Sequence, residues 1–360
     1  MFIYLLLAAG LFMGWSLGTN DAANAFGTAV APRVIKYRTA IIIIAVMVLL
    51  GAALMGHNNI YKLSNIAINN GVSSSEADVQ AAIEAGTLAD LRLKSAIKAF
   101  IIFACAGITV FGMSYLKFPV SANQSITGAV IGWGLCYANY ADPAVMKGNL
   151  IEIAEFASTW LINPIGAALI SFVLVFFVKK FLEQRLTSMK NHDLVIKIGY
   201  LAAGAFSAYS IGTNSSASVT AFYYDASGQG ANILTDARFT AIIGGIAIAI
   251  GVLTFSKRVM MTVGGSIAEL NQVEGFLVIL AMALTILIME KTMGIPVSTS
   301  QAVVGAVIGA GLVNSIKLKS LKNVNFKVFV RIGIAWVSSP TVAGVLTYVV
   351  GIATKSYFGA

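Results

Sequence analysis

The chain has 360 residues, of which 58% are hydrophobic and only 11% charged, and its formal net charge is +9. Soluble globular domains carry roughly 25% charged residues, so this composition excludes a water-soluble enzyme, a disordered scaffold and a free nucleic-acid-binding domain. The two cysteines, Cys105 and Cys136, lie in apolar stretches and offer no disulfide framework. The composition is that of a protein that resides in a lipid bilayer.

Hydropathy predicts an all-α polytopic membrane protein with about ten crossings. Each apolar stretch is long enough to cross ~30 Å of hydrocarbon at about 1.5 Å per helical residue. The predicted spans are 2–30, 38–56, 95–115, 118–137, 157–178, 198–222, 238–256, 275–291, 295–314 and 328–352. Segments 18–24, 119–125, 212–218 and 296–302 are rich in Gly, Ser, Thr, Asn and Pro, so we expect helix breaks or hairpin tips there.

The sequence contains an internal duplication. Leu-Ala-Ala-Gly at 7–10 and Gly-Thr-Asn at 18–20 recur 194 positions later, at 201–204 and 212–214. Pro-Val-Ser at 119–121 and Gly-Ala-Val-Ile-Gly at 128–132 recur 177 positions later, at 296–298 and 305–309. Polar residues that match at fixed offsets argue against chance similarity of apolar stretches. We therefore predict a first repeat over 1–178, a linker over 179–197 and a second repeat over 198–360.

The distribution of basic residues predicts the orientation. Loops 31–40, 179–197 and 316–331 are rich in Lys and Arg, whereas loops 57–94 and 138–156 are weakly acidic. Because Lys and Arg concentrate in cytoplasmic loops, the first three loops are expected inside the cell and the other two outside. With five crossings in each half, the two repeats have inverted topology, 179–197 is a cytoplasmic linker, and both termini lie outside an inner or cell membrane.

Asp21 is the only Asp or Glu well inside a predicted span, whereas Glu290 lies at a span end beside Lys291. An unpaired carboxylate costs at least ~2.5 kcal/mol at the bilayer centre. The four polar segments contain no Lys or Arg. The simplest partner for Asp21 is a bound sodium ion, and a proton is the alternative. A protonated, purely structural Asp21 that is hydrogen-bonded to a neighbouring helix is the other explanation.

The four polar segments supply ligands for a cation and for an anion. Neutral carbonyl and amide oxygens suit an alkali ion, and helices that begin after Pro119 and Pro296 present N-termini that attract anions. The expected cation ligands are Gly18, Asn20, Asp21, Asn24, Gln124, Asn214 and Gln301, with sodium held at Asp21 and Asn24. The expected anion ligands are Thr19, Asp21, Ser121, Asn123, Ser125, Thr213, Ser215, Ser298, Thr299 and Ser300.

Two further patterns bear on the site. The Gly-x-x-x-Gly runs at 128–132 and 305–309 are typical of close helix packing rather than of ligand binding. The sequence has no Walker lysine motif, no HExxH, no nucleophile elbow and no Cys/His metal cluster, so an ATP-driven pump and an intramembrane enzyme are not expected. Midplane sites made from broken helices at a repeat interface are instead typical of secondary transporters.

The segment from Gly18 to Thr28, with Pro-Val-Ser at 119–121 and Pro-Val-Ser-Thr-Ser at 296–300, resembles the inorganic phosphate transporter family, which includes the sodium-dependent phosphate symporters. The resemblance spans both repeats. It implies secondary active transport of inorganic phosphate coupled to sodium or protons, with both signature segments at the binding site. The family usually repeats its Asn-Asp pair in the second signature, whereas here Ser215 follows Asn214 and Ser218 is the counterpart of Asn24. The missing carboxylate leaves the stoichiometry open.

The expected partners are inorganic phosphate, sodium as the coupling ion and the lipid bilayer, without nucleic acid or an organic cofactor; the sequence leaves a homo-oligomer open. A sulfate symporter of the same fold is the first alternative, because some relatives resembling this family take sulfate. Protonated phosphate has an O–H that a carboxylate can accept and sulfate has none, so Asp21 favours phosphate if it touches the anion, but not if it binds the cation. The remaining alternatives are an anion channel, which would need a pore-lining ring from several copies, and a sensor.

Overall fold

The computed structural model describes residues 2–116, 120–137, 143–181, 189–266, 270–293, 296–318 and 326–358. Within these ranges the chain is almost entirely helical, and the only strand-like pairing is an isolated bridge between Tyr224 and Leu234. The structure therefore confirms the all-α class predicted from the composition.

The helices follow one another along the whole chain. In the first half they are α1 (Phe2–Leu5), α2 (Leu7–Val30), α3 (Tyr37–Met55), α4 (His57–Asn69), α5 (Glu76–Glu84), α6 (Leu88–Tyr115), α7 (Ala122–Tyr137) and α8 (Pro143–Phe181). In the second half they are α9 (Met189–Ser215), α10 (Ala217–Thr220), a 3₁₀ turn (Ala221–Tyr223), α11 (Ala237–Ser266), α12 (Gln272–Met293), α13 (Thr299–Leu318) and α14 (Phe326–Phe358).

Every predicted span contains a helix, but two of these helices are shorter or less apolar than the others. In the described part of the chain, eight helices have the length and apolar composition of membrane spans. The other two predicted spans contain α7, whose 16 residues extend only about 24 Å, and α13, whose apolar part is Thr299–Asn314. The predicted ten crossings thus correspond to eight membrane-spanning helices and two shorter ones.

The predicted helix break at 18–24 is wrong, because α2 runs without interruption from Leu7 to Val30. The glycine in this segment serves close packing instead of unwinding. A Cβ atom added to Gly18 would lie 2.0 Å from the carbonyl oxygen of Ile248, so only glycine allows α11 to approach α2 this closely.

The other polar segments do interrupt helices in the described residues. In the second signature α9 ends at Ser215 and α10 begins at Ala217. The segments before α7 and α13 are non-helical at 120–121 and 296–298, and each precedes a helix start as predicted. Pro119 lies outside the described residues. The polar segments therefore form one helix interruption and two helix N-termini.

Small residues bring the helices of the two halves into close contact. A Cβ added at Gly128 or Gly132 would lie 2.1 Å from a carbonyl oxygen of α14, and one added at Gly305 or Gly309 would lie 2.1 Å from a carbonyl oxygen of α8. The predicted packing role of the two Gly-x-x-x-Gly runs is thus confirmed. Helix α2 likewise packs on α11 and α3 on α9, so the two halves interlock.

The loops are shorter than the sequence predicts. The segment 57–94 contains α4, α5 and the first turns of α6, and α8 begins already at Pro143. Between the halves, α8 reaches Phe181 and α9 starts at Met189, so 182–188 of the predicted linker 179–197 lies outside the described residues. The inverted relation of repeats 1–178 and 198–360 stays a prediction.

Candidate ion-binding site

The carboxylate of Asp21 is bonded to the start of α13. Asp21 is 4% exposed, and its Oδ1 accepts a hydrogen bond of 2.9 Å from Thr299 Oγ1, the first residue of that helix. Asn24 lies one turn after Asp21 on the same face of α2, and its Nδ2 donates to Asp21 Oδ1 and to Thr299 Oγ1 at 3.2 Å each. The acid of the first signature is thus joined directly to the N-terminus of α13.

Asp21 has no cationic partner in the described part of the protein. The ion pairs found there are Lys94 with Asp90, and Lys179 with Glu274. Asp21 Oδ2 accepts no hydrogen bond from the described residues. A buried carboxylate that is held only by neutral donors keeps most of its desolvation cost, so this site favours a bound cation or proton.

The segment that leads into α13 is held by amide side chains from three helices. Asn214 at the end of α9 pairs with both backbone groups of Val297, accepting from its N–H at 2.8 Å and donating to its carbonyl at 2.9 Å. Asn123 of α7 donates to the same carbonyl at 2.7 Å, and Asn163 of α8 donates to Ser298 O at 2.7 Å. Helices α2, α7, α8 and α9 therefore meet at residues 297–299.

Both helix N-termini begin with the same serine cap. Ser121 Oγ accepts from the Gln124 N–H at 3.3 Å, and Ser298 Oγ accepts from the Gln301 N–H at 3.2 Å. A serine cap satisfies one of the four N–H groups that a helix start leaves unpaired. The remaining N–H groups and the positive end of the helix dipole favour a negative ligand.

Two glutamines directly behind these caps have buried amides without partners. Gln124 is 2% exposed and Gln301 is 1% exposed, and neither the amide nitrogen nor the amide oxygen of either residue has a hydrogen-bond partner among the described residues. An unsatisfied buried polar group costs about 1–3 kcal/mol. The two glutamines occupy matching positions of the two Pro-Val-Ser segments, 177 residues apart.

The other residues predicted for the site are also buried, and most have local partners. Asn20 of α2 donates to Ser114 near the end of α6 at 2.8 Å, which joins the first signature to α6. Gly18 contacts α11, as described above. The remaining contacts are Thr19 to Ser16 O, Ser125 to Ser121 O, Ser300 with Ser298, and Asn214 to Ser215 Oγ.

Sequence reasoning missed the environment of Glu290. The residue is 7% exposed; Asn59 Nδ2 donates to its Oε1 at 2.8 Å, and Thr213 Oγ1 contacts its Oε2 at 2.9 Å. Thr213 immediately precedes Asn214, so this second buried acid lies beside the second signature. The available signal was the uncharged run 275–289 before it, which places Glu290 within α12 rather than in a loop.

In the described part of the chain, buried helix N-termini, amides without partners and a carboxylate without a counter-ion lie among long apolar helices, an arrangement typical of integral membrane transporters. The model of the phosphate transporter family matches residues 17–347. The chain therefore belongs to the phosphate transporter family, as the signature residues predict.

Individual relatives cover nearly the whole chain. A protein of Pyrococcus abyssi named as a candidate phosphate permease is 26% identical, over 97% of this chain and 96% of that protein. The sulfate permease CysP of Bacillus subtilis is also 26% identical, over 94% of this chain and 84% of that protein. A solved structure described as the sodium-dependent phosphate transporter shares the fold, with a TM-score of 0.74 over 99% of this chain and all of that chain, at 21% identity.

Proposed function

We propose that the protein is a symporter that carries inorganic phosphate across the membrane together with sodium, by alternating access around residues 297–301. One observation carries this proposal: the hydrogen bond of 2.9 Å between Thr299 and Asp21. It joins the carboxylate that suits a cation to the helix N-terminus that suits an anion. Binding of either ion therefore changes the surroundings of the other.

The cation would bind at Asp21 and Asn24. Asp21 Oδ2 accepts no hydrogen bond from the described residues, and Asn24 lies beside it with its own amide oxygen. Carboxylate and amide oxygens are hard ligands of the kind alkali ions prefer. A sodium ion there would neutralise the buried charge of Asp21, and a proton is the alternative occupant.

The anion would bind between the starts of α7 and α13. These helix ends carry Ser121 and Ser298 as caps. Gln124 and Gln301, which the sequence led us to expect as cation ligands, lie directly behind the caps with amides that have no partner among the described residues, so we assign them to the anion. A Gln amide offers two donors and one acceptor, which fits a phosphate that has both bare and protonated oxygens. Since the four polar segments contain no Lys or Arg, the coupling cation is needed to offset the negative charge.

Sulfate is the second candidate substrate, and the similarity to the sulfate permease of Bacillus subtilis favours it. The two anions differ in their protons, because phosphate near neutral pH carries an O–H and sulfate does not. A carboxylate can accept that O–H, so Asp21 would favour phosphate where it touches the anion. With the cation at Asp21 Oδ2 this preference is lost, and the match to the phosphate transporter family then supports phosphate over sulfate.

The proposed orientation places both termini outside the cell membrane, with the halves inverted. Lys36 lies between α2 and α3, and Gln229 lies between the 3₁₀ turn and α11; both are exposed. Single cysteines at these positions should be labelled by an impermeant reagent from opposite sides, position 36 from the cytoplasm and position 229 from outside. Labelling of both from one side would contradict the inverted arrangement.

The functional test is uptake of labelled phosphate into proteoliposomes, with a sodium gradient and a pH gradient imposed separately and excess sulfate added in a parallel series. We expect accumulation against the phosphate gradient when sodium is higher outside, and little inhibition by sulfate. Flux that only equilibrates phosphate would indicate a channel. Sulfate that is accumulated in preference to phosphate would reverse the substrate assignment.

A further inference from the structure

A second buried carboxylate lies next to the second signature. Glu290 belongs to α12, and its two oxygens contact Asn59 of α4 and Thr213 of α9 at 2.8 and 2.9 Å. Neither contact is charged, and Glu290 takes part in no ion pair in the described part of the chain. The sequence lacks an acid at Ser215, in the position that corresponds to Asp21. Glu290 thus supplies an acid where the signature has none.

The hydrogen bonds of Thr213 accommodate Glu290 in both protonation states. Thr213 Oγ1 lies 3.0 Å from Ser210 O and 2.9 Å from Glu290 Oε2, yet a hydroxyl has one proton and two lone pairs. With Glu290 ionised, Thr213 donates to the carboxylate. With Glu290 protonated, its O–H donates to Thr213, whose own proton turns to Ser210 O. The exchange requires one hydroxyl rotation and no movement of the helices.

The site is connected to the proposed ion site. Asn59 Nδ2 also donates to Thr213 O at 3.1 Å, which fixes α4 against α9. The next residue, Asn214, pairs with Val297, and two residues later Thr299 bonds Asp21. Asp21 and Glu290 are therefore linked through the same short segment before α13.

We infer that Glu290 is a proton-binding site that loads and releases one proton in each transport cycle, in place of the acid absent at Ser215. This inference rests on the proposed transport function. Asp21 Oδ2 accepts no hydrogen bond from the described residues, whereas each oxygen of Glu290 contacts a neutral side chain, and the hydroxyl of Thr213 can accept the O–H of a protonated Glu290.

Other titratable groups lie near Glu290. Lys62 of α4 and Tyr209 of α9 interact with it electrostatically, and Lys291 is the next residue on α12. His57 is the first residue of α4, the helix that also carries Asn59 and Lys62.

The test compares Glu290→Gln with wild type in sodium-driven phosphate uptake at equal pH on both sides, from acid to alkaline conditions. The ratio of variant to wild-type rates at each pH cancels the changing protonation of phosphate itself. Wild-type uptake should fall as protons become scarce, and the neutral Gln should not respond, so the ratio should rise severalfold toward alkaline pH. A ratio that stays constant with pH overturns the inference. Glu84→Gln, which removes an exposed acid of α5, should give a constant ratio.

An infrared measurement keeps the inference testable without transport. Purified wild-type protein should show a carboxylic acid C=O band that titrates with pH, and this component should be missing in Glu290→Gln and present in Glu290→Asp. The same band in Glu290→Gln as in wild type would refute the assignment. Wild-type protein that shows the band but takes up no phosphate would refute the proposed transport function and leave the proton site standing.

Discussion

The two signature segments have the same residue spacing but make different contacts with the segment that begins α13. Helix α2 continues through Gly18, Asn20 and Asp21, and the carboxylate of Asp21 accepts a hydrogen bond from Thr299. In α9 the helix ends at Ser215, no acid is present, and Asn214 clamps the backbone of Val297 on both sides. The first segment places a carboxylate at the start of α13, and the second segment holds the backbone just before that helix.

The threonines of the two segments show the same contrast. Thr19 donates to Ser16 O within its own helix, whereas Thr213 contacts Glu290 of α12 as well as its own helix. The two matching segments therefore share their threonine bond to the preceding turn, but only Thr213 also contacts an acid of a neighbouring helix. The two segments thus have chemically different surroundings.

The largest effect is expected for Asp21→Asn. Asn keeps the shape of the side chain and removes its charge, so a cation ligand would be lost. A loss of even ~3 kcal/mol of cation binding lowers the cation affinity more than a hundredfold, because ~1.4 kcal/mol corresponds to a factor of ten. Sodium-driven uptake should be abolished at unchanged membrane levels. Asp90→Asn, on an exposed position of α6, is the matched control. Wild-type-like uptake by Asp21→Asn would show that Asp21 is structural.

The next largest effect is expected for Gln124→Leu and Gln301→Leu. Leucine is of similar size and removes two polar atoms that have no partner in the described residues. We expect phosphate affinity to fall about tenfold, or ~1.4 kcal/mol, while the unliganded protein becomes more stable to heat by about 1–3 kcal/mol. Phosphate titrations and thermal unfolding measure the two effects. Lower stability with unchanged affinity would assign the amides to the core.

Asn214→Ala and Asn20→Ala compare the two segments directly. Removing Asn214 leaves the buried N–H of Val297 without its partner, which costs about 1–3 kcal/mol, whereas Asn20 makes one hydrogen bond to Ser114, worth about 0.5–1.5 kcal/mol. Thermal unfolding should therefore show the larger loss for Asn214→Ala. Equal losses would mean that the second segment has no special clamping role.

The smallest effect is expected for Ser215→Asp, which restores an acid in the second signature. If the segments are structurally equivalent, the new carboxylate should raise sodium affinity by a few fold, or ~1 kcal/mol, and increase the steepness of the sodium dependence of uptake. Sodium titrations of uptake measure both. A variant that folds normally and shows neither change would indicate that position 215 does not face the cation path.

The sequence predicts much of this architecture, because membrane helices need long apolar runs and helix starts need caps. All ten predicted spans contain helices, and the segments around Ser121 and Ser298 are helix N-termini as expected. The continuity of α2 could not be predicted, since a glycine that permits unwinding looks the same as one that accommodates a neighbouring carbonyl, here that of Ile248.

Two parts of the site depend on tertiary contacts alone. Glu290 stands next to Lys291 in the sequence, which suggests a membrane-surface pair, and only the packing of α4 and α9 shows that it is buried against Asn59 and Thr213. The clamp of Asn214 on Val297 joins residues 83 positions apart. No local pattern encodes either contact.

The most direct test of the account is the phosphate affinity of the purified protein, measured by calorimetry in sodium and again with sodium replaced by choline at constant pH and ionic strength. Because Asp21 and Thr299 are bonded and no basic residue lies in the polar segments, we predict at least about a tenfold weaker affinity without sodium, a coupling of ~1.4 kcal/mol or more. In Asp21→Asn this sodium dependence should vanish. An affinity of wild-type protein that is the same with and without sodium would contradict the account.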